Sequence, residues 1–204
     1  MVAKIAVVIY SLYGHTSTLS ESVVAGLKEA GAHVEVFQFQ EILSDEIRGK
    51  MHAGPKSDLP VITPGDLAKF DGFLFGFGTR YGRAPAAVSS FFDATGGLWA
   101  SGALVGKFAG VFFGTGSAHG GQETTALTTI PFFAHHGIIY VPIGFVRPEL
   151  SIVDKTVGGS AYGAGYVAGG QGQLPVTEED KLVGHYQGHS FGTLVNTFVK
   201  GRDL

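Results

Sequence analysis

No cysteine occurs among the 204 residues of the chain. That absence excludes disulfides, thiolate metal sites and thiol redox chemistry, so any redox activity has to come from a bound cofactor. A surplus of positive charge is missing as well. Lys and Arg number 14 against 17 Asp and Glu, a formal net charge of −3, which leaves no basic footprint for nucleic acid. No uninterrupted apolar run approaches membrane-spanning length, and Met1-Val-Ala-Lys4 leads straight into a strand pattern without the features of a signal peptide. A soluble, cytoplasmic protein is the expectation.

What is present is alternation. At 45% hydrophobic residues, strand patterns at 5–9, 33–39, 72–77, 108–114 and 138–141 interleave with helical patterns at 16–30, 84–94, 123–134 and 178–199. This reads as one α/β domain over 1–204, a doubly wound parallel sheet with right-handed crossovers. Such sheets bind ligands at the carboxyl ends of their strands. Three loops therefore converge there: 11–16, 77–83 and 114–122. Glycine is abundant, at 32 residues, and gathers at strand ends, as expected where backbone runs close to a flat ligand. Residues 42–66, with three prolines, and the glycine-rich 144–175 fit poorly into simple βα units; stretches that long are usually functional or ordered by a partner.

The most informative stretch is Lys4 to Thr18. The β-branched run Ile5 to Ile9 is fit for a buried strand, and Leu19, Val23 and Leu27 share one face of the helix that follows. Between them Ser11, Thr16, Ser17 and Thr18 supply hydroxyls, and the free N–H groups at the helix start sit at the positive end of its dipole. The Gly-Lys-Ser/Thr of a nucleoside triphosphate loop is missing, so the loop is suited to one monophosphate, with flavin mononucleotide (FMN) the first candidate. Four or five donors at about 1.5–3 kcal/mol each make micromolar binding plausible without a lysine. The plainer alternative is a helix N-cap made by Thr16 alone.

Six segments in order have a family look: 11–16, 78–82, Thr95 to Leu104, Gly120 to Thr124, Ala134 to Gly137 and Val141 to Gly144. Over nearly its whole length the chain resembles the WrbA-like NAD(P)H:quinone oxidoreductases. The resemblance implies a flavodoxin-like fold with five strands in the order 2-1-3-4-5 and helices on both faces. It also implies bound FMN, a homotetramer, and two-electron reduction of quinones by NADH or NADPH. Carried over by position, the FMN phosphate loop falls on Ser11, Leu12, Tyr13, Gly14, His15 and Thr16. A second flavin-contacting turn falls on Thr79, Arg80 and Tyr81, and a third on Gly114, Thr115, Gly116, Ser117, Ala118 and His119. His135 matches a histidine near the flavin, Tyr13 a residue that meets nicotinamide, and Trp99 one that meets substrate. Related proteins commonly carry proline at Gly78 and glycine at His119; a side chain at the latter either rims the quinone site or displaces its loop.

Each assignment has a plainer rival. Arg80 stabilises the anion of reduced flavin, or is a surface arginine in a turn. Trp99, in a stretch expected to be a loop after Gly96-Gly97, plates a slot for flat substrates, or packs in a core or subunit interface. His135 donates a hydrogen bond or proton to the quinone, or caps a helix end. Three motif matches fail. Gly188-His-Ser-Phe-Gly192 lies in a helical pattern with no histidine after Ser190. His185 and His189 lack the glutamate and third ligand of a zinc helix, so no metal site is expected. Gly102 to Lys107 is one residue short of a Walker loop. Among functions, an electron carrier of the flavodoxin kind would be strongly acidic, which −3 is not; a non-catalytic FMN-binding scaffold is the other alternative.

Overall fold

The structure, a computed structural model, describes residues 1–202. Its centre is a parallel sheet whose principal strands are β1 (Lys4–Tyr10), β2 (His33–Gln38), β3 (Gly72–Gly78) and β4 (Phe108–Thr115). With β5 (Ile139–Tyr140) they run in the order β2-β1-β3-β4-β5, the order expected. The count differs, because six strands form rather than five. The fifth place is shared: β5 lies beside Phe108 and Ala109, while β6 (Gly165–Val167) lies beside Phe113 to Thr115. Residues 141–164 leave the sheet between the two, and their backbone returns against β4 itself. A Cβ on Gly163 would stand 2.0 Å from the Val111 carbonyl oxygen. Several of these glycines thus exist for contact between backbones, not for a ligand.

Alternation along β1 divides the core. Ile5, Val7 and Ile9 face α1 (His15–Glu29) and α8 (Glu178–Gly201) in one buried cluster; Ala6 and Val8 belong to the other, with Phe73, Phe75 and Phe77. That second face is covered by α4 (Ala86–Asp93), α6 (Gln122–Leu127) and α7 (Ile130–His135), which bring in Val88, Phe91, Ala126 and Phe133. Short helices α2 (Asp45–Lys50) and α3 (Pro64–Leu67) occupy the proline-bearing stretch after β2, and α5 (Gly96–Ser101) follows α4.

Two local expectations need correction. The helix expected over 123–134 is broken into α6 and α7, because Pro131 has no N–H for the carbonyl four residues back and Thr129 Oγ1 donates to Thr125 O at 2.8 Å. Trp99 lies in α5, not in a loop. The amides of Leu98 and Trp99 both donate to Thr95 O, and Gly102, left-handed at φ 65°, ends the helix.

Helices α1 and α8 pack at backbone distance. A Cβ on Gly26 would fall 2.0 Å from His185 O, and one on Gly188 2.0 Å from Val23 O. Gly188→Ala must push the helices apart, at about 3 kcal/mol, the upper part of the overpacking range. For a chain of this size that lowers the melting temperature by about 6–12 °C; a thermal unfolding curve superimposable on the parent's would show that the helices do not touch there.

Candidate functional site

At the carboxyl ends of β1, β3 and β4 the chain opens a cleft of about 450 Å³, within the common range for small-molecule sites, about 300–1,000 Å³. Its first wall is the loop between β1 and α1. Gly14 adopts φ 92° at the N-cap, a left-handed conformation suited to glycine, and no side chain caps the helix from that position. Ser17 N donates to Ser11 Oγ at 3.1 Å. Among the described residues, the N–H groups of Tyr13, Gly14, His15 and Thr16 find no acceptor. Thr16 is not the cap: its Oγ1 lies 2.7 Å from Tyr166 Oη, inside the helix's first turn.

The second wall follows β3. Thr79 N donates to Gly114 O at 2.7 Å, and Thr79 Oγ1 accepts from Gly82 N and from Thr125 Oγ1. The amides and carbonyls of Arg80 and Arg83 pair across a turn whose central residues, Tyr81 at φ 54° and Gly82 at φ 76°, are both left-handed, as a type I′ turn requires. Arg80 Nη1 donates to Thr79 O at 3.1 Å and the residue lines the cleft; Tyr81 points away, fully exposed. The floor is Gly114 to Gly116, with Thr115 Oγ1 fixed between Ser117 O and Gln122 Nε2.

Beneath the floor lies Tyr166 of β6, a residue that sequence reasoning missed. It is 6% exposed, its ring stacks on His15 at 5.5 Å, and it occupies the space that a Cβ on Gly114 would need, 1.9 Å from its Cζ. Burial pushes its hydroxyl up to about 12, so it remains a neutral partner for Thr16. The same segment supplies a third wall, Ala168 to Gly172, held by Ala168 N to Thr115 O and by His15 Nε2 to Leu174 O. The cue in the sequence was the glycine-rich stretch 144–175, which periodicity alone could not assign to the site. Met51 and His52 reach the rim from α2, and Tyr10 from β1; burial, with Glu41 beside it, pushes the Tyr10 hydroxyl up to about 12.

The structure thus brings together Ser11, Leu12, Tyr13, His15, Thr16, Thr79, Arg80, Gly114, Thr115 and Gly116. Gly14 faces a neighbouring cavity. Ser117, Ala118 and His119 are exposed in the turn after β4, outside the cleft. Trp99 and His135 are further away. Helices α6 and α7 carry the chain from the carboxyl end of β4 back to its amino end, where β5 begins beside Phe108, so exposed His135 sits on the opposite edge of the sheet. Its neighbour His136 is buried against Thr95 Oγ1 at 2.9 Å, with Nδ1 unpaired, and burial lowers its pKa. Trp99, 60% exposed, follows Thr95 on that same edge. Within one chain neither reaches the cleft.

A profile for NADPH-dependent FMN reductases matches residues 3–149. The chain belongs to the NADPH-dependent FMN reductase family. Within this FMN reductase family it is 46% identical to NAD(P)H quinone oxidoreductase PST1 of Candida albicans over 188 residues, 92% of this chain and 95% of that protein. It is 48% identical to quinone-oxidoreductase QR2 of Triphysaria versicolor over 190 residues, 92% and 93% of the two chains. The flavodoxin-like, WrbA-like protein of Agrobacterium tumefaciens shares the fold at a TM-score of 0.66 and 19% identity, covering 96% of this chain and 98% of that one. The WrbA-like resemblance carried by the motifs therefore stands.

The cleft fits FMN. Unpaired amides at the head of α1 meet the needs of a phosphate, and Gly114 and Gly116 leave a flat floor for a ring. No helix among the described residues is long and apolar enough to cross a membrane, and no cluster of three or more His, Asp or Glu there is placed to hold a metal. Thr16→Val removes the hydroxyl that ties α1 to Tyr166 below the phosphate cradle. The lost bond joins two neutral hydroxyls and is worth about 0.5–1.5 kcal/mol, so FMN affinity, read by fluorescence titration, should fall by about twofold to tenfold.

Proposed function

We propose that this FMN reductase family member is an FMN-dependent NAD(P)H:quinone oxidoreductase, reducing quinones by two electrons in a ping-pong order. The observation that carries the reading is the cradle of unpaired N–H groups at Tyr13 to Thr16, opening into one cleft with Arg80 and the Gly114 to Gly116 floor. Relatives named as quinone oxidoreductases, at 46% and 48% identity, support it. Bound FMN supplies hydride-transfer chemistry, for which NAD(P)H and quinone use the same exposed face in turn.

The chain's own residues bind, orient and hold charge. The loop of Ser11 to Thr16 takes the phosphate on its amides and the positive end of α1. Thr79 and Arg80, which line the cleft, would hold the ring, and the guanidinium would favour negative charge on it. Tyr13 is taken as the residue that meets the nicotinamide, a role its 48% exposure at the rim supports. A net charge of −3 disfavours an electron carrier that docks on basic partners. The work belongs to the cytoplasm, where the NAD(P)H pool is held.

The reading includes a homotetramer in which Trp99 and His135 of one copy roof the cleft of another. Trp99, Val105 (66% exposed) and Ile139 (44% exposed) form an apolar face beside His135 on the far edge of the sheet, a surface suited to burial between subunits. In that arrangement His135 donates to the quinone oxygen.

The assay that tests the function is steady-state oxidation of NADH and NADPH with benzoquinone on protein reconstituted with FMN. Protein that takes up no FMN, or that takes it up and reduces no quinone, overturns the reading. For His135→Ala, quinone turnover should fall by about tenfold to a thousandfold, one lost donor, while single-turnover flavin reduction by NADPH stays near the parent rate. A helix-end role predicts the reverse, namely normal stopped-flow kinetics and a loss of about 0.3–1 kcal/mol of stability.

A further inference from the structure

A second cavity, of about 510 Å³, adjoins the flavin cleft and shares Tyr10, Ser11 and Tyr13 with it as a common wall. It lies between the carboxyl end of β2, the outer side of the phosphate loop and residues 54–57. Both sides are tied down. Gln38 Nε2 donates to Ser57 O at 2.9 Å and to Leu59 O, and Gly54 N donates to Leu12 O at 2.9 Å. Arg48 is buried; it pairs with Glu41 and donates from Nη2 to Gly54 O at 2.6 Å, which also neutralises the carboxylate in the wall. Tyr10 Oη donates to the same Glu41 at 3.0 Å.

After those bonds are made, the cavity keeps a small set of uncommitted polar atoms. Ser17 Oγ and Gln40 Oε1 have no partner among the described residues, and Lys56 is engaged only with Asp45, at 2.6 Å. That ion pair is solvated, with Asp45 82% exposed. Such pairs contribute little, so the ammonium can turn to a stronger anion at small cost.

We propose that this second cavity holds the adenosine half of the dinucleotide reductant, and that Lys56 recognises a 2′-phosphate on its ribose. The inference rests on the reading that nicotinamide lies over the first cleft. From there the diphosphate leaves across the shared wall of Tyr10, Ser11 and Tyr13, since the amides at the head of α1 are taken by the FMN phosphate. The adenosine then enters the preformed polar cavity on the far side of that wall. Glu41, cancelled by Arg48, presents no net charge to it, and Lys56 provides the single positive charge lacking a buried partner. A ribose without the phosphate gains nothing from Lys56, so the residue acts on NADPH over NADH.

The probe is 2′,5′-ADP, which carries the phosphate and no nicotinamide, titrated calorimetrically into FMN-loaded protein. Binding should weaken about tenfold or more in Lys56→Gln, the loss of one charge-assisted contact, and be retained in Lys56→Arg. Selectivity in kcat/KM for NADPH over NADH should fall by a similar factor in Lys56→Gln. No binding to the parent protein, equal affinity in Lys56→Gln, or loss of affinity in Arg83→Gln instead would each overturn the assignment. Lys56-dependent binding of 2′,5′-ADP by a protein that oxidises neither nicotinamide would uphold the cavity while removing the enzymatic reading.

Discussion

Four backbone amides at the head of α1 have no acceptor among the described residues, and the arrangement of the rest keeps them free. Amides concentrated at a helix start and kept from other partners require an anion or water. Keeping them free needs a rigid helix and a loop that cannot collapse onto it. Helix α8 gives the rigidity, lying against α1 at distances only Gly26 and Gly188 permit. Gly14, at φ 92°, gives the loop its direction. Tyr166 fills the space below, one hydrogen bond from Thr16 and in contact with the bare backbone of Gly114.

Glycine therefore serves two ends in this chain. At Gly116 it leaves the floor of the cleft bare, and at Gly163 and Gly188 it lets backbone meet backbone. Composition does not separate these uses, since both demand only the absence of a Cβ. At Gly114 the missing Cβ points beneath the floor, where it makes room for the tyrosine that supports it.

Two segments that periodicity left unassigned became walls. The stretch after β2 is held by Arg48, Glu41 and Gly54 against the phosphate loop, so that its length encloses a cavity instead of a disordered excursion. The stretch after β5 returns to the sheet as β6 and then turns at Gly169 and Gly172 to close the cleft. Neither has a strong repeat of period 2 or 3.6, because each residue in it answers to a different neighbour.

Sequence by itself determined the parallel sheet, the three loops that meet at its carboxyl edge and the lysine-free loop at the head of α1, because these depend on local patterns: apolar runs, helix starts and residues next to them; the strand order came from the family resemblance. Ten of the contact residues that the family resemblance implies lie on those loops and line one cleft. Only the tertiary structure decided the rest. The split fifth strand, the tyrosine under the floor and the adjoining cavity all depend on separate segments meeting, as Thr16 and Tyr166 do across 150 positions, and no periodicity records such a meeting. It also separated Trp99 and His135 from the cleft, since a helical crossover that leaves at the carboxyl edge of a parallel sheet has to return to its amino edge before the next strand begins.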